Sequence, residues 1–178
     1  FENADVKSCH ANLQSEMVLK GSFLVPGNIE ERYARKRTAI LDYEIHLQLS
    51  QDSDLIKVTG KVNNTAKDHR LRISFKTNVK NEVSYAGTQF GYVQRETNPK
   101  EMAYWKEKNF FEEPSSTKPF LNHVSSVTEG QVWTLFTRSL KEYDFIGDGC
   151  KDIAATVLRS CGAVGLPDLN RRPGRPSG

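Results

Sequence analysis

The sequence predicts an all-β fold, an antiparallel β-sandwich with at most one or two short helices. Three observations lead there. Apolar and polar residues alternate strictly over 41–49, several similar runs follow with turn residues between them, and helical periodicity is nearly absent along the 178 residues. Short strands with one apolar and one polar side are the pattern of antiparallel sheets that rest one face on a core.

The elements follow in chain order. Residues 1–37 are mixed and polar and read as a lead-in to a sandwich over 38–178. Within the lead-in, residues 19–25 (LKGSFLV) predict a short strand stopped by Pro26-Gly27, and residues 28–37 (NIEERYARKR) a loop or weak helix. Leu41, Tyr43, Ile45, Leu47 and Leu49 then alternate with Asp42, Glu44, His46 and Gln48, the period of a half-buried strand. After turn residues at 51–53, Ile56, Val58, Gly60 and Val62 share one face of a second strand. Asn63-Asn64 marks another turn, and Leu71, Ile73 and Phe75 alternate with Arg70, Arg72, Ser74 and Lys76. Three such strands in succession predict an antiparallel meander.

Further strands are expected at 89–95 (QFGYVQR), 121–127, 132–138 and 142–146. A last one at 153–159 (IAATVLR) is apolar on both faces at its centre, which places it inside the sandwich. Asn98-Pro99-Lys100-Glu101 carries a capping residue, a proline at the first helical position and a glutamate at the third, so a short helix or ordered turn is expected there.

Composition excludes several classes of function. With 25 Lys and Arg against 22 Asp and Glu, the net charge of +3 is too small and too dispersed for a nucleic-acid surface. No apolar run approaches the roughly 20 residues a membrane helix needs. Cys9, Cys150 and Cys161 are odd in number and widely spaced, so neither a disulfide framework nor a zinc knuckle is expected, and a cytoplasmic location fits reduced thiols. Asn63-Asn64-Thr65 has the form of a glycosylation sequon, a short motif that arises by chance. A start at Phe1 and an end in a Pro/Gly/Arg tail suggest a segment of a longer protein.

Chemistry within the chain is sparse. His10, His46, His69 and His123 have no metal-ligand spacing and read as solvent-facing, so no metal site is expected. Gly147-Asp148-Gly149 reads as a turn, and no nucleophile elbow is present. Glu82, Glu96, Asp144 and Asp148 are carboxylates that could enter a glycosidase pair, but spacing selects none of them. Phe90, Tyr92, Tyr104, Trp105, Phe110 and Phe111 concentrate aromatic rings between 90 and 111. Most read as core, with Tyr104 and Trp105 the candidates for an exposed sugar contact.

Three segments carry a family resemblance. They are QFGYVQRETNPKEMAYWKEKNFFEEP at 89–114, VWTLFTRSLKEYDF at 132–145 and IAATVLRSCGAVGLPDLNRRPGRPSG at 153–178. In this order they resemble the C-terminal region of glycoside hydrolase family 38, the α-mannosidases, in a bacterial branch that includes mannosylglycerate hydrolase. The likeness runs from about Thr38 onward. It implies part of a large sandwich like that of galactose mutarotase, within a much longer retaining α-mannosidase. In such enzymes a separate α/β domain holds zinc and the aspartate nucleophile, so no catalytic residue and no cofactor is expected in this chain.

The implied partners are that catalytic domain, a mannose-containing substrate and, for the parent, a second copy of itself. Within the matched motifs, Arg95, Glu96, Arg172 and Arg175 are polar positions that could bridge domains or meet a charged aglycone such as glycerate or phosphate. Salt bridges inside the sandwich are the plainer reading of the same residues. With Tyr104 and Trp105 they are the candidate substrate-rim residues. A carbohydrate-binding module and a purely structural or dimerisation domain are the alternatives to a domain that packs on the catalytic one.

Overall fold

The computed structural model describes residues 3–11, 13–161, 163–164 and 175–176. The chain divides into two compact units, one of residues 1–69 with 160–178 and one of residues 70–159.

The first unit is built on one antiparallel sheet. Strands β1 (Asn3–Ala11), β2 (Gln14–Val25), β3 (Ala39–Ser50) and β4 (Ile56–Asn63) lie in the order β1-β2-β3-β4. The β2–β3 ladder runs from Gln14↔Ser50 to Val25↔Ala39. This register puts Met17, Leu19, Phe23, Leu41, Tyr43, Ile45, Leu47, Val58 and Val62 on one face, because paired residues share a face and successive ones alternate. Glu16, Lys20, Glu44, His46, Gln48, Lys57 and Lys61 occupy the other. Phe23 and Tyr43 stack with centroids 4.9 Å apart.

The β2–β3 link holds α1 (Ile29–Tyr33). Asn28 caps it by accepting the Glu31 N–H at 2.8 Å, and the Glu31 carboxylate accepts the Gly27 N–H at 2.8 Å in return. The loop-or-helix segment is thus one short helix, and the lead-in strand extends to twelve residues.

The second unit is a sandwich. One sheet has the order β10-β9-β6-β7, from β6 (Val83–Thr88), β7 (Gly91–Glu96), β9 (His123–Thr128) and β10 (Gln131–Phe136). The other has the order β5-β12-β11-β8, from β5 (His69–Lys76), β8 (Lys118–Pro119), β11 (Glu142–Ile146) and β12 (Asp152–Ser160). Ala86 and Val124 from the first sheet meet Phe120, Tyr143, Phe145 and Ile153 in one buried cluster, with Val93 and Leu135 packed against it. Tyr143 makes edge-to-face contacts with Phe120 and Phe145 at 5.5 and 6.1 Å, the geometry that ring quadrupoles favour. Ile153, Ala154, Ala155 and Thr156 are consecutive and buried, as expected for a strand covered on both sides. A separate ladder pairs β13 (Ala163–Val164) with β14 (Arg175–Pro176).

Two expectations need correction. The meander breaks after β4: β5 borders β12 in the other unit's sheet, not β4. Asp68 just before it takes a left-handed φ of 55°, and the Lys67 N–H goes to the Gly27 carbonyl at 2.8 Å, so the chain turns away instead of returning beside β4. The short helix or ordered turn expected near Asn98 is a 3-10 turn over Lys100–Ala103, entered from Pro99 with no side-chain cap. The strand at 89–95 begins at Gly91, because residues 89–90 are the turn of a hairpin whose first arm is β6. All-β architecture itself stands, with one five-residue α-helix among the described residues. No described helix is long and apolar enough to cross a membrane.

Candidate functional site

Alternation along β7 sends Arg95 and Glu96 to opposite faces. Arg95 follows Val93 toward the facing sheet, and its guanidinium donates to the Pro119 carbonyl on β8. Glu96 lies outside and pairs with Lys100 at 2.9 Å, which lowers its pKa. The two residues therefore form no joint site. Arg95 ties the two sheets together, and Glu96 anchors the turn that follows β7.

Tyr104 and Trp105 lie just after the 3-10 turn. The Trp105 N–H donates to the Glu101 carbonyl and the Trp105 carbonyl accepts the Phe110 N–H, both at 2.9 Å, which closes a tight loop. Tyr104 packs edge-on to Phe110 at 6.1 Å, and Lys106 Nζ sits 5.4 Å from the Trp105 ring centre. Tyr104 is 36% exposed and Trp105 is half-buried, and the core reading of the neighbouring rings fails, since Phe90, Tyr92, Phe110 and Phe111 are exposed. Of the tail arginines, Arg172 lies outside the described residues, and the Arg175 backbone pairs with Val164.

A polar cluster that the sequence reading did not assemble lies on the outward side of β5, β11 and β12. Glu142 receives Arg159 at 2.5 Å, Thr156 at 2.6 Å and Arg70 at 3.4 Å. Asp144 receives Arg72 at 3.1 Å and the Ser116 hydroxyl at 3.2 Å. Burial pushes the Glu142 carboxyl up, but hydrogen bonds from Arg159 and Thr156 and the Arg159 and Arg70 charges hold it below its ordinary value. A carboxylate so held is a poor proton donor near neutrality. The second oxygen of Asp144, Oδ1, is buried without a hydrogen-bond partner, as is His69 Nε2. Only alternation hinted at this cluster, since Glu142 and Asp144 flank the inward Tyr143. The arginines come from strands distant in sequence.

Of the histidines read as solvent-facing, His10 is exposed, whereas His46, His69 and His123 are half-buried. His46 is half-buried between two carboxylates, with Glu16 at 2.9 Å from Nδ1 and Glu44 at 2.6 Å from Nε2. His123 contacts Asn122 at 2.8 Å and lies 6.1 Å from Phe136. No three His, Cys, Asp or Glu groups among the described residues could share a metal ion.

The comparisons place this fold among known proteins. No family model matches the chain. A curated protein of Halalkalibacterium halodurans, provisionally named a mannosylglycerate hydrolase, is 30% identical over 137 residues, which are 74% of this chain and 13% of that protein. A solved protein of glycosyl hydrolase family 38 from Enterococcus faecalis superposes with a TM-score of 0.71 over 89% of this chain, at 20% identity. An α-mannosidase from Enterococcus faecalis V583 gives 0.74 over 92%, also at 20% identity.

Most of this chain is similar to glycoside hydrolase family 38. It spans about an eighth of the curated relative, at 13%, and 19% of each family 38 structure. The likeness therefore concerns one region of much longer proteins.

Proposed function

We propose that this chain is a non-catalytic β-sandwich region of a retaining, zinc-dependent α-mannosidase, and that it packs on the remainder of that enzyme. One observation carries this reading. Along the apolar face of the β1–β4 sheet only Leu41 is buried among the described residues, while Met17, Leu49 and Ile56 are 41%, 43% and 61% exposed. A sheet with one apolar face must bury it against another layer. Each Leu, Ile or Val side chain gains about 1.5–3 kcal/mol when fully covered. Relatives several times longer have ample chain to provide that layer.

In such a parent, zinc and the nucleophile reside outside this region. Within this region Glu96 pairs with Lys100, Glu142 with Arg70 and Arg159, and Asp144 with Arg72. The role of this chain is then structural support, with any substrate contact at the rim. The test is turnover of nitrophenyl α-mannoside by the purified chain with and without added zinc. No hydrolysis above buffer is expected, and zinc-dependent turnover by the chain alone overturns the reading.

A carbohydrate-binding role is the second reading, favoured by the exposed rings of Phe90, Tyr92 and Phe136, at 99%, 70% and 64%. Calorimetric titration with mannose and short mannosides separates the two. A Kd tighter than about 1 mM, near 4 kcal/mol, supports the binding module.

A further inference from the structure

We infer that the outward face of the β10-β9-β6-β7 sheet is a flat binding platform for a neutral oligosaccharide of hexopyranose units. The inference rests on the carbohydrate-binding reading above and gives it a place and a ligand class.

Strand register builds the platform in rows. Phe136 pairs with His123 across β10 and β9, and Tyr92 pairs with Gly87 across β7 and β6. Gly87 and His123 are neighbours in turn, since a β-carbon on Gly87 would meet the His123 ring. Phe136, His123, Gly87 and Tyr92 therefore form one row across all four strands. The next row holds Thr134, Ser125, Tyr85 and Gln94, from the same ladders. Both rows point away from the core, because Leu135, Val124, Ala86 and Val93 between them point into it.

The chemistry of the two rows suits an uncharged sugar. No Asp, Glu, Lys or Arg stands in either row, and β10 ends the sheet without a charge. Phe136 and Tyr92 are 64% and 70% exposed at opposite ends of the first row, three strand spacings or about 14 Å apart. Between them the imidazole lies where a Gly87 β-carbon would collide with it, so the row stays low at its centre. His123 Nδ1 donates to Asn122 Oδ1 at 2.8 Å, which leaves Nε2 as an acceptor with no partner among the described residues. Tyr85 stands edge-on to Tyr92 at 5.9 Å. Rings take the C–H face of a pyranose, and the imidazole, amide and hydroxyl groups beside them take its hydroxyls.

A layer of protein fits these rows less well. The apolar face of the β1–β4 sheet is mainly aliphatic, with Leu41, Ile45, Leu47 and Val58 among its residues. The two rows here hold no aliphatic side chain. Val83, Val127 and Val132 share their face but stand beyond them, toward the β9–β10 turn. A dry protein layer would separate Gln94, Thr134 and His123 Nε2 from water, at a cost unless each found a partner. A sugar brings its own hydroxyls to those groups.

Calorimetry with mannose and linear mannotriose, with the His123 ring resonances followed by NMR, tests the inference. One sugar ring cannot touch both Tyr92 and Phe136, so mannotriose should bind about tenfold tighter than mannose. Its addition should shift the His123 ring resonances. Tyr92→Ala and Phe136→Ala change exposed side chains, so circular dichroism should be unchanged while each weakens mannotriose binding about fivefold. Absence of mannotriose binding overturns the platform and the carbohydrate-binding reading together. Binding that survives both variants, or that leaves the His123 resonances unmoved, overturns the platform and leaves the carbohydrate-binding reading standing.

Discussion

The Tyr143 phenol oxygen on β11 lies 2.9 Å from the Ser84 hydroxyl on β6, a buried hydrogen bond between the two sheets of the sandwich. Tyr143 is 1% exposed and Ser84 is 1% exposed, so neither group has water as an alternative partner. Ser84 Oγ also lies 3.3 Å from the Arg95 carbonyl, where it can act as donor, which leaves the phenol to donate to Ser84. The bond fixes how far the sheets sit apart at the centre of the aromatic cluster.

Removing that phenol oxygen tests its contribution. Tyr143→Phe keeps the ring contacts with Phe120 and Phe145 and is expected to cost about 1 kcal/mol in urea denaturation. Tyr143→Ala removes the ring too and should cost about 3–5 kcal/mol. Equal losses in the two variants would show that the hydroxyl, not the packing, holds this site.

The Arg72–Asp144 pair is a second point of vulnerability. The Asp144 side chain is 8% exposed and Arg72 29%, so removal of the arginine leaves a largely buried carboxylate with the Ser116 hydroxyl. Arg72→Met should cost about 2 kcal/mol, below the fully buried case because Arg72 is partly solvated. Asp144→Asn in the same chain should recover part of the loss, and a double-mutant cycle measures the coupling.

The Glu16–His46–Glu44 cluster makes stability depend on pH. Hydrogen bonds donated to Glu16 and then Glu44 raise the His46 pKa above 6.5, and the bond from His46 lowers both glutamates below 4.5. The histidine contribution is fully present below about 6.5 and fades as pH rises through its raised value. The glutamate contributions are present above about 4.5 and fade as pH falls through their lowered values. The cluster is therefore most stabilising between those limits. Melting temperatures of His46→Gln should fall furthest below the parent chain near pH 5.5 and approach it above neutrality. A difference that is constant across pH would rule out the ion pairs as its source.

Gly87 is required by its neighbours. A β-carbon there would come 2.6 Å from His123 Nδ1 and 2.7 Å from its Cε1. Gly87→Ala should cost about 1–3 kcal/mol and swing the imidazole away from Phe136, a change visible in the His123 ring resonances.

How much of this was legible beforehand differs by element. Alternation located β3, β4 and β5, because one side of each strand meets an apolar layer and the other does not, whereas β12 was located by its continuously apolar centre. It missed β6, where Ser84 and Ala86 face the core and Tyr85 faces out, so the polarity of the pattern is weak. Small inward residues there leave room for Tyr143, a fact visible only once β6 and β11 are opposite one another. Among the proposed rim residues, sequence reading named Arg95 and Glu96 together, and strand geometry sent them to opposite faces.

The sequence by itself determined that the chain is all-β, which residues alternate, and that its segments resemble family 38 glycoside hydrolases. Periodicity records the environment of each side chain along its own strand, and that information is local. Tertiary structure decided that β5 leaves β4 for β12, that three arginines gather around Glu142 and Asp144, and that β10 ends its sheet without a charge. Those outcomes depend on pairings between residues tens of positions apart, which no local pattern encodes.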